Sequence, residues 1–219
     1  MTEAQGAPSL NAMPRSGTSP AQGRRYHHGD LRAALVGTAV ELIGERGVRN
    51  FSMAEASRRL GVAVSAPYAH FADRDDLLAA VAVRAFELFW AALLPEMDKF
   101  ADPADRLAGM ARGYVRFAAG NRPLFEVLYE AGLDKARHPE IEAAEQPLND
   151  AFLDAVRALA GGDGTRAEDL ATAVEATARG YAMLLLDDGP DQESGVVELA
   201  AERTARAVLA LIEGRRLLG

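Results

Sequence analysis

The side chains best suited to chemistry lie between Ser52 and Phe71. Ser52-Met53-Ala54-Glu55 has the form of a capping box, in which serine and glutamate satisfy each other's free amides. Met53, Ala56 and Leu60 make an apolar stripe behind it, and Gly61 ends the helix. A turn at Gly61-Val62-Ala63 follows, and a very short helix must fit between Val62 and Phe71. This is the arithmetic of a helix-turn-helix. It turns Ser65, Ala66, Tyr68, Ala69 and His70 outward, where a major groove could receive them. A plain corner between two helices has the same spacing, so the pattern alone leaves both readings open.

Other chemistries find no constellation. The chain has no cysteine, which removes disulfides, thiolate catalysis and iron–sulfur clusters. His27-His28-x-Asp30 is the one metal-like grouping, but adjacent histidines on a tail point apart and no further histidine lies nearby. No metal or other cofactor is expected. Gly161-Gly162-Asp163-Gly164 lacks both the Lys-Ser/Thr and the preceding strand of a phosphate loop. No Ser-His-Asp set has a plausible elbow, and Glu140, Glu142 and Glu145 read as a solvated helix face. No enzyme is expected.

The elements that must position these residues are helical. With 219 residues, 49% of them hydrophobic, the chain suffices for one large domain or two small ones. Residues 1–23 mix Gly, Pro, Ser, Ala and Gln without periodicity and are expected to be a disordered tail. From Asp30 to Gly47, Leu31, Leu35, Ala39 and Leu42 recur at helical spacing. Asp73 caps a long helix that runs to about Pro95. Asp102-Pro103 opens another, ending near Gly120. A short amphipathic helix follows Pro123, a longer one follows Pro139, and Thr165-Arg166-Ala167-Glu168 is a second capping box. A last helix spans Val197 to Leu211. No segment alternates as a strand does. The expected fold is all-α with about nine helices: a helix-turn-helix domain over residues 24–75 and a helical bundle over 76–219. Apolar runs are short and broken by charge, so no transmembrane span is expected. The N-terminus lacks the apolar core of a signal, pointing to the cytoplasm.

The net charge of −8 excludes a uniformly basic DNA coat but not a local basic face. Residues 24–74 hold eight arginines against five carboxylates, with three of the four histidines; residues 91–219 hold 14 basic and 23 acidic residues. The asymmetry hints at polyanion contact by the first part only.

Four runs sharpen the hint: Tyr26-His27-His28-Gly29-Asp30-Leu31-Arg32, Phe51-Ser52-Met53, Arg59-Leu60-Gly61-Val62, and Pro67-Tyr68-Ala69-His70-Phe71-Ala72-Asp73-Arg74-Asp75-Asp76-Leu77-Leu78. Residues 24–78 resemble the DNA-binding domain of the TetR/AcrR family of bacterial transcriptional regulators, the opening run being shared with one subgroup. Two positions depart from the pattern. Ala63 stands where Ser or Thr is usual, and Pro67 where a leucine-like residue is common, so the recognition helix should start near Ser65. The resemblance places Ser52, Tyr68, His70 and Arg74 at phosphate-contacting positions, Arg74 beside helix amides that favour an anion. Ser65 and Ala66 are the nearest neighbours of base edges, Ala66 offering only a methyl contact. Arg24, Arg25, His27 and His28 form a basic arm for an adjacent groove or the phosphates. Structural roles compete: Ser52 is also a helix cap, and His70 can pack beside Phe71.

Phe86, Phe89, Trp90, Tyr114, Phe117, Phe125, Tyr129 and Phe152 fall on the later helices. As a set they suit a bundle core. The resemblance implies that the same helices line an inducer pocket, with Trp90, Tyr114 and Tyr129 orienting a small molecule. Arg112, Arg116 or Arg122 could supply a charge for an acidic ligand. Small residues on the last two helices, Ala173, Thr177, Ala201, Thr204 and Val208, with Tyr181, suit a four-helix contact between two subunits, as the family dimerises. One related group bears Trp-x-x-x-His-Gly in the penultimate helix; here that stretch reads Glu175-Ala176-Thr177-Ala178-Arg179-Gly180. The implied function is a ligand-responsive homodimeric repressor on a palindromic DNA operator, without membrane contact. The alternative is an all-α ligand-binding or interaction module whose helix-turn-helix is vestigial.

Overall fold

A computed structural model describes residues 28–187, 189 and 193–217, and these are all-α, with no strand among them. Helix α1 spans His28–Arg46, α2 Met53–Leu60, α3 Arg74–Met97 and α4 Pro103–Gly120; α5 spans Arg122–Glu130, α6 Pro139–Ala160, α7 Gly164–Asp187 and α8 Ser194–Glu213. Single turns of 3-10 helix lie between them at Val48–Asn50 and Ala66–Ala69, and a third follows α8 at Arg215–Leu217. The expected third helix is therefore one 3-10 turn, its amides at Tyr68 and His70 reaching back three residues to Ser65 and Pro67. Residues 1–23 and the basic-arm positions Arg24, Arg25 and His27 lie outside the described residues.

The helix-turn-helix closes as its spacing requires. Gly61 takes a left-handed conformation (φ 68°, ψ 28°) that a β-carbon would strain, and its amide donates to the Arg58 carbonyl. The Val62 amide donates to the Ser57 carbonyl at 3.0 Å, completing the helix end. Met53, Ala56, Pro67 and Phe71 are buried, locking α2 and the 3-10 turn against Leu35, Ala39 and Leu42 of α1.

Neither capping box forms. The Ser52 side chain makes no cap bond, and Glu55 pairs instead with Arg58 and, at 3.6 Å, with Arg46. At α7 the Asp163 carboxylate accepts from the Arg166 amide at 3.2 Å, so the helix starts before Thr165. A carboxylate is the stronger partner for a helix N-terminus, which explains its precedence. Asp73 does cap α3, accepting from the Asp76 amide at 2.9 Å, and α3 runs two residues beyond Pro95.

Helix α3 is shared by the two halves of the fold. Leu77, Leu78, Val81 and Ala85 are completely enclosed. By length and composition α3 could cross a bilayer, contrary to the expectation from its apolar runs, but half of that stretch is buried inside the protein, as befits a core helix. Helix α4 crosses α3 closely because it carries Gly109 and Gly113. A β-carbon at Gly109 would lie 2.4 Å from the Glu96 carbonyl oxygen of α3. Helix α8 packs on α4 through enclosed Ala201, Thr204, Ala205 and Val208, framed by Arg112–Glu202 at 2.7 Å and Arg116–Glu198 at 2.6 Å. Gly109→Ala must push backbone off backbone, an overpacking cost of about 1–3 kcal/mol or more. Urea denaturation should show that loss, whereas Gly120→Ala, with open space around it, should be close to neutral.

Candidate functional site

Two sites are built on this frame, one at the N-terminal end of α3 and one along its middle. At the first, Ser52, Ser65 and Tyr68 are exposed, Tyr68 at 56%, while Ala66 and His70 are half-buried. Pro67 faces inward and thereby aims its neighbours out. Val64, absent from the residues expected to read DNA, is 53% exposed beside Ser65 and offers methyl groups at the tip of the turn. Its position before the recognition turn is the only signal of it in the sequence.

Arg74, expected at a phosphate-contacting position, has its guanidinium engaged within the chain. Its guanidinium donates to the Val48 carbonyl at 2.7 Å and the Phe51 carbonyl at 3.3 Å, and pairs with Asp75. Those carbonyls flank the 3-10 turn that leads into α2, so Arg74 clamps the entry to the helix-turn-helix. The amides at the start of α3, expected to draw an anion, are met by Asp73. Other arginines of the basic segment are similarly engaged. Arg59 pairs with Glu45 at 2.7 Å, Arg46 and Arg58 share Glu55, and Arg32 lies 5.2 Å over the Phe71 ring. Arg59 holds the Glu45 carboxyl below the usual carboxylate range, and Arg58 does the same for Glu55. Arg49 is exposed and has no ion pair among the described residues.

The second site is a partly open cavity of about 110 Å³ lined by α3, α4, α5, α6 and α7. Of the eight aromatic residues expected there, Phe86, Phe89, Tyr114, Tyr129 and Phe152 line it. The other three do not. Phe117 packs behind Phe89 at 4.7 Å, Phe125 sits between Tyr114 and Tyr129 at 5.8 and 4.8 Å, and Trp90 packs against the core elsewhere. Met110, Leu148, Asn149, Glu145 and Glu175 help complete the lining, and its polar members are ones that no aromatic pattern reveals. The Tyr114 hydroxyl donates to that of Tyr129 at 2.8 Å. Burial pushes both phenols above their usual range, and for Tyr114 the neighbouring phenol adds to it. Arg179 lies 4.2 Å over the Tyr129 ring and pairs with Glu175, while Glu145 pairs with Lys135. Arg112, Arg116 and Arg122 serve other contacts: the first two hold α8, and Arg122 reaches Glu126 and the Leu186 carbonyl.

The residues expected at a subunit contact divide by helix. Ala201, Thr204 and Val208 are fully enclosed within the chain because that face of α8 covers α4, so they offer no outer surface. Ala173, Thr177 and Tyr181 on α7 remain partly exposed, the Thr177 hydroxyl donating to the Ala173 carbonyl. The apolar surface of these helices is instead Met183, Leu184, Val196 and Leu199, between 42% and 67% exposed.

The two sites define an all-α helix-turn-helix protein with a cavity among its later helices, and comparison with known proteins supplies the family. Residues 35–81 match the family of bacterial regulatory proteins called the tetR family, and residues 107–211 match the tetracycline repressor-like C-terminal domain. The chain belongs to the TetR family of DNA-binding transcriptional regulators. No curated protein matches it. Among solved structures, a protein of unknown function from Rhodococcus sp. RHA1 is 28% identical, with a TM-score of 0.68 over 85% of this chain and 97% of that one. The TetR regulator PfmR from Thermus thermophilus is 21% identical, with a TM-score of 0.60 over 81% and 96%. RolR, crystallised in complex with resorcinol, is 25% identical, with a TM-score of 0.55 over 87% and 93%.

Replacing Arg74 by Ala frees two carbonyl oxygens from a cationic donor. It should cost about 1–2 kcal/mol of stability without any DNA present. Chemical denaturation of the free protein measures this; an unchanged midpoint would return Arg74 to the duplex.

Proposed function

We propose that the protein is a homodimeric repressor that leaves a near-palindromic operator when a small molecule fills the cavity. One observation carries this reading. The same helix, α3, starts directly after the recognition turn at its N-terminal end and lines the cavity with Phe86 and Phe89. The two lie some twelve residues apart, roughly 18 Å along one rigid element. A ligand that fits better when α3 is tilted shifts the population away from the DNA-bound arrangement, since only differential affinity moves such an equilibrium.

On this reading Val64, Ser65 and Tyr68 meet the groove while Ser52 and His70 flank the backbone. Arg24, Arg25, His27 and His28 supply the arm. Two such units about 34 Å apart read two half-sites. The apolar Met183, Leu184, Val196 and Leu199 on α7 and α8 supply the subunit contact, joined by the partly exposed Ala173, Thr177 and Tyr181. The internal pairing of Arg46, Arg58 and Arg59 is what favours the alternative of a vestigial helix-turn-helix.

Selection of genomic fragments by the full chain, followed by salt titration, separates the two. Sequence-selective binding that survives moderate salt supports repression; its absence leaves the vestigial reading. On a selected fragment, Tyr68→Ala should weaken binding about tenfold, a loss of about 1.4 kcal/mol, with the melting temperature unchanged. Leu184→Glu should convert the dimer to a monomer by light scattering and abolish half-site cooperativity.

A further inference from the structure

We propose that the cavity takes a neutral molecule of one aromatic ring carrying a single hydroxyl or carbonyl group. This rests on the reading of the protein as ligand-responsive and gives that ligand a chemical class.

Size sets the first bound. About 110 Å³ is less than the roughly 150 Å³ apolar cavity known to hold benzene, so the guest is no larger than a single ring, and a fused pair or a long acyl chain would overfill it. The walls set the second. Phe86, Phe89 and Phe152 offer ring faces and edges, and Met110 a polarizable thioether, all of which favour an aromatic guest.

The polar end sets the third. Tyr114 and Tyr129 are bonded to each other at 2.8 Å, which engages one of their two hydroxyl protons and leaves the other to donate. Burial keeps both phenols protonated, so the pair is a donor and not a base. A ligand hydroxyl or carbonyl oxygen satisfies it. Charge sets the fourth. Glu145 and Glu175 face the cavity, while their partners Lys135 and Arg179 stand outside its lining. A carboxylate would meet like charge there after losing its hydration, and an ammonium would have to displace Lys135 or Arg179 from an ion pair.

The test measures binding of phenol, toluene, benzoate, benzylamine and dodecanoate to the full-length dimer by calorimetry and thermal shift at neutral pH. Phenol should bind about tenfold tighter than toluene, the worth of one hydrogen bond. Benzoate, benzylamine and dodecanoate should not compete with it. Tyr114→Phe and Tyr129→Phe keep the ring packing, and at least one should bring phenol down to the affinity of toluene while leaving toluene unchanged. The class is overturned if benzoate, benzylamine or dodecanoate binds as tightly as phenol. It is equally overturned if none of the five binds, or if phenol's advantage survives in both variants. Release of a selected DNA fragment is read separately. Phenol that binds as stated but leaves DNA bound sinks the ligand-response reading and not the class. A larger or charged compound that empties the DNA and occupies the cavity does the reverse.

Discussion

The burial of α3 is the constraint on which the rest of the molecule depends. Leu77, Leu78 and Val81 are the floor of the helix-turn-helix core, while Ala85, Phe86, Phe89 and Leu93 belong to the bundle, all on one uninterrupted helix. Two halves that share a helix and one continuous apolar core cannot reorient independently. A change in the packing around Phe86 must either be absorbed locally or be carried to Arg74. Close packing favours the second, because interiors have little free volume in which to absorb it. The glycines of α4 tighten this further: with the Gly109 α-carbon against the Glu96 carbonyl, α3 and α4 move as a pair.

The electrostatics follow a different logic from the one that segment charges suggest. The excess of arginine in residues 24–74 describes a polyanion face only if the guanidinium groups are free. Several instead hold the domain together: Arg59 ties α2 to Glu45 of α1, and Arg74 holds two backbone carbonyls. The exposed Arg59–Glu45 pair is weak, whereas Arg74 is committed to the backbone. On the proposed function, contact with DNA then rests less on standing charge than on the shape of the turn from Val64 to Tyr68.

Much of this is legible in the sequence, and the failures have identifiable causes. Gly61, Asp73 and the spacing of Met53, Ala56 and Phe71 specify the helix-turn-helix because each is a local requirement, of backbone conformation, capping or period. The aromatic residues mark the cavity helices, but aromatic content cannot say which rings face inward: Phe117 and Phe125 form the layer behind. The small residues of α8 suit a second subunit by type, yet they serve the close approach of α8 to α4. Small side chains announce a tight helix contact, not whose helix it is. Arg74 is similarly opaque, since its partners, the carbonyls of Val48 and Phe51, are more than twenty residues away and carry no side-chain signature.

The junction between the two halves shows how far electrostatics can carry a signal here. Asp73 and Asp76 cap the start of α3, and the turn that opens α6 reaches both: Arg137 bonds Asp73 at 3.0 Å, and His138 Nδ1 lies 3.8 Å from Asp76. The Asp76 amide, and then Arg137, hold the Asp73 carboxyl below its usual range. Helix α6 thus begins at the cap of α3 and continues to Leu148 and Phe152 in the cavity wall. The Arg137–Asp73 pair is exposed and screened, so it cannot itself transmit much. Buried Ile141, three residues on from His138, sits in the same apolar core as α3. On the proposed function, force applied to α6 by a ligand travels through apolar packing, with the ion pair fixing register, and the coupling is insensitive to salt while the DNA contact is not.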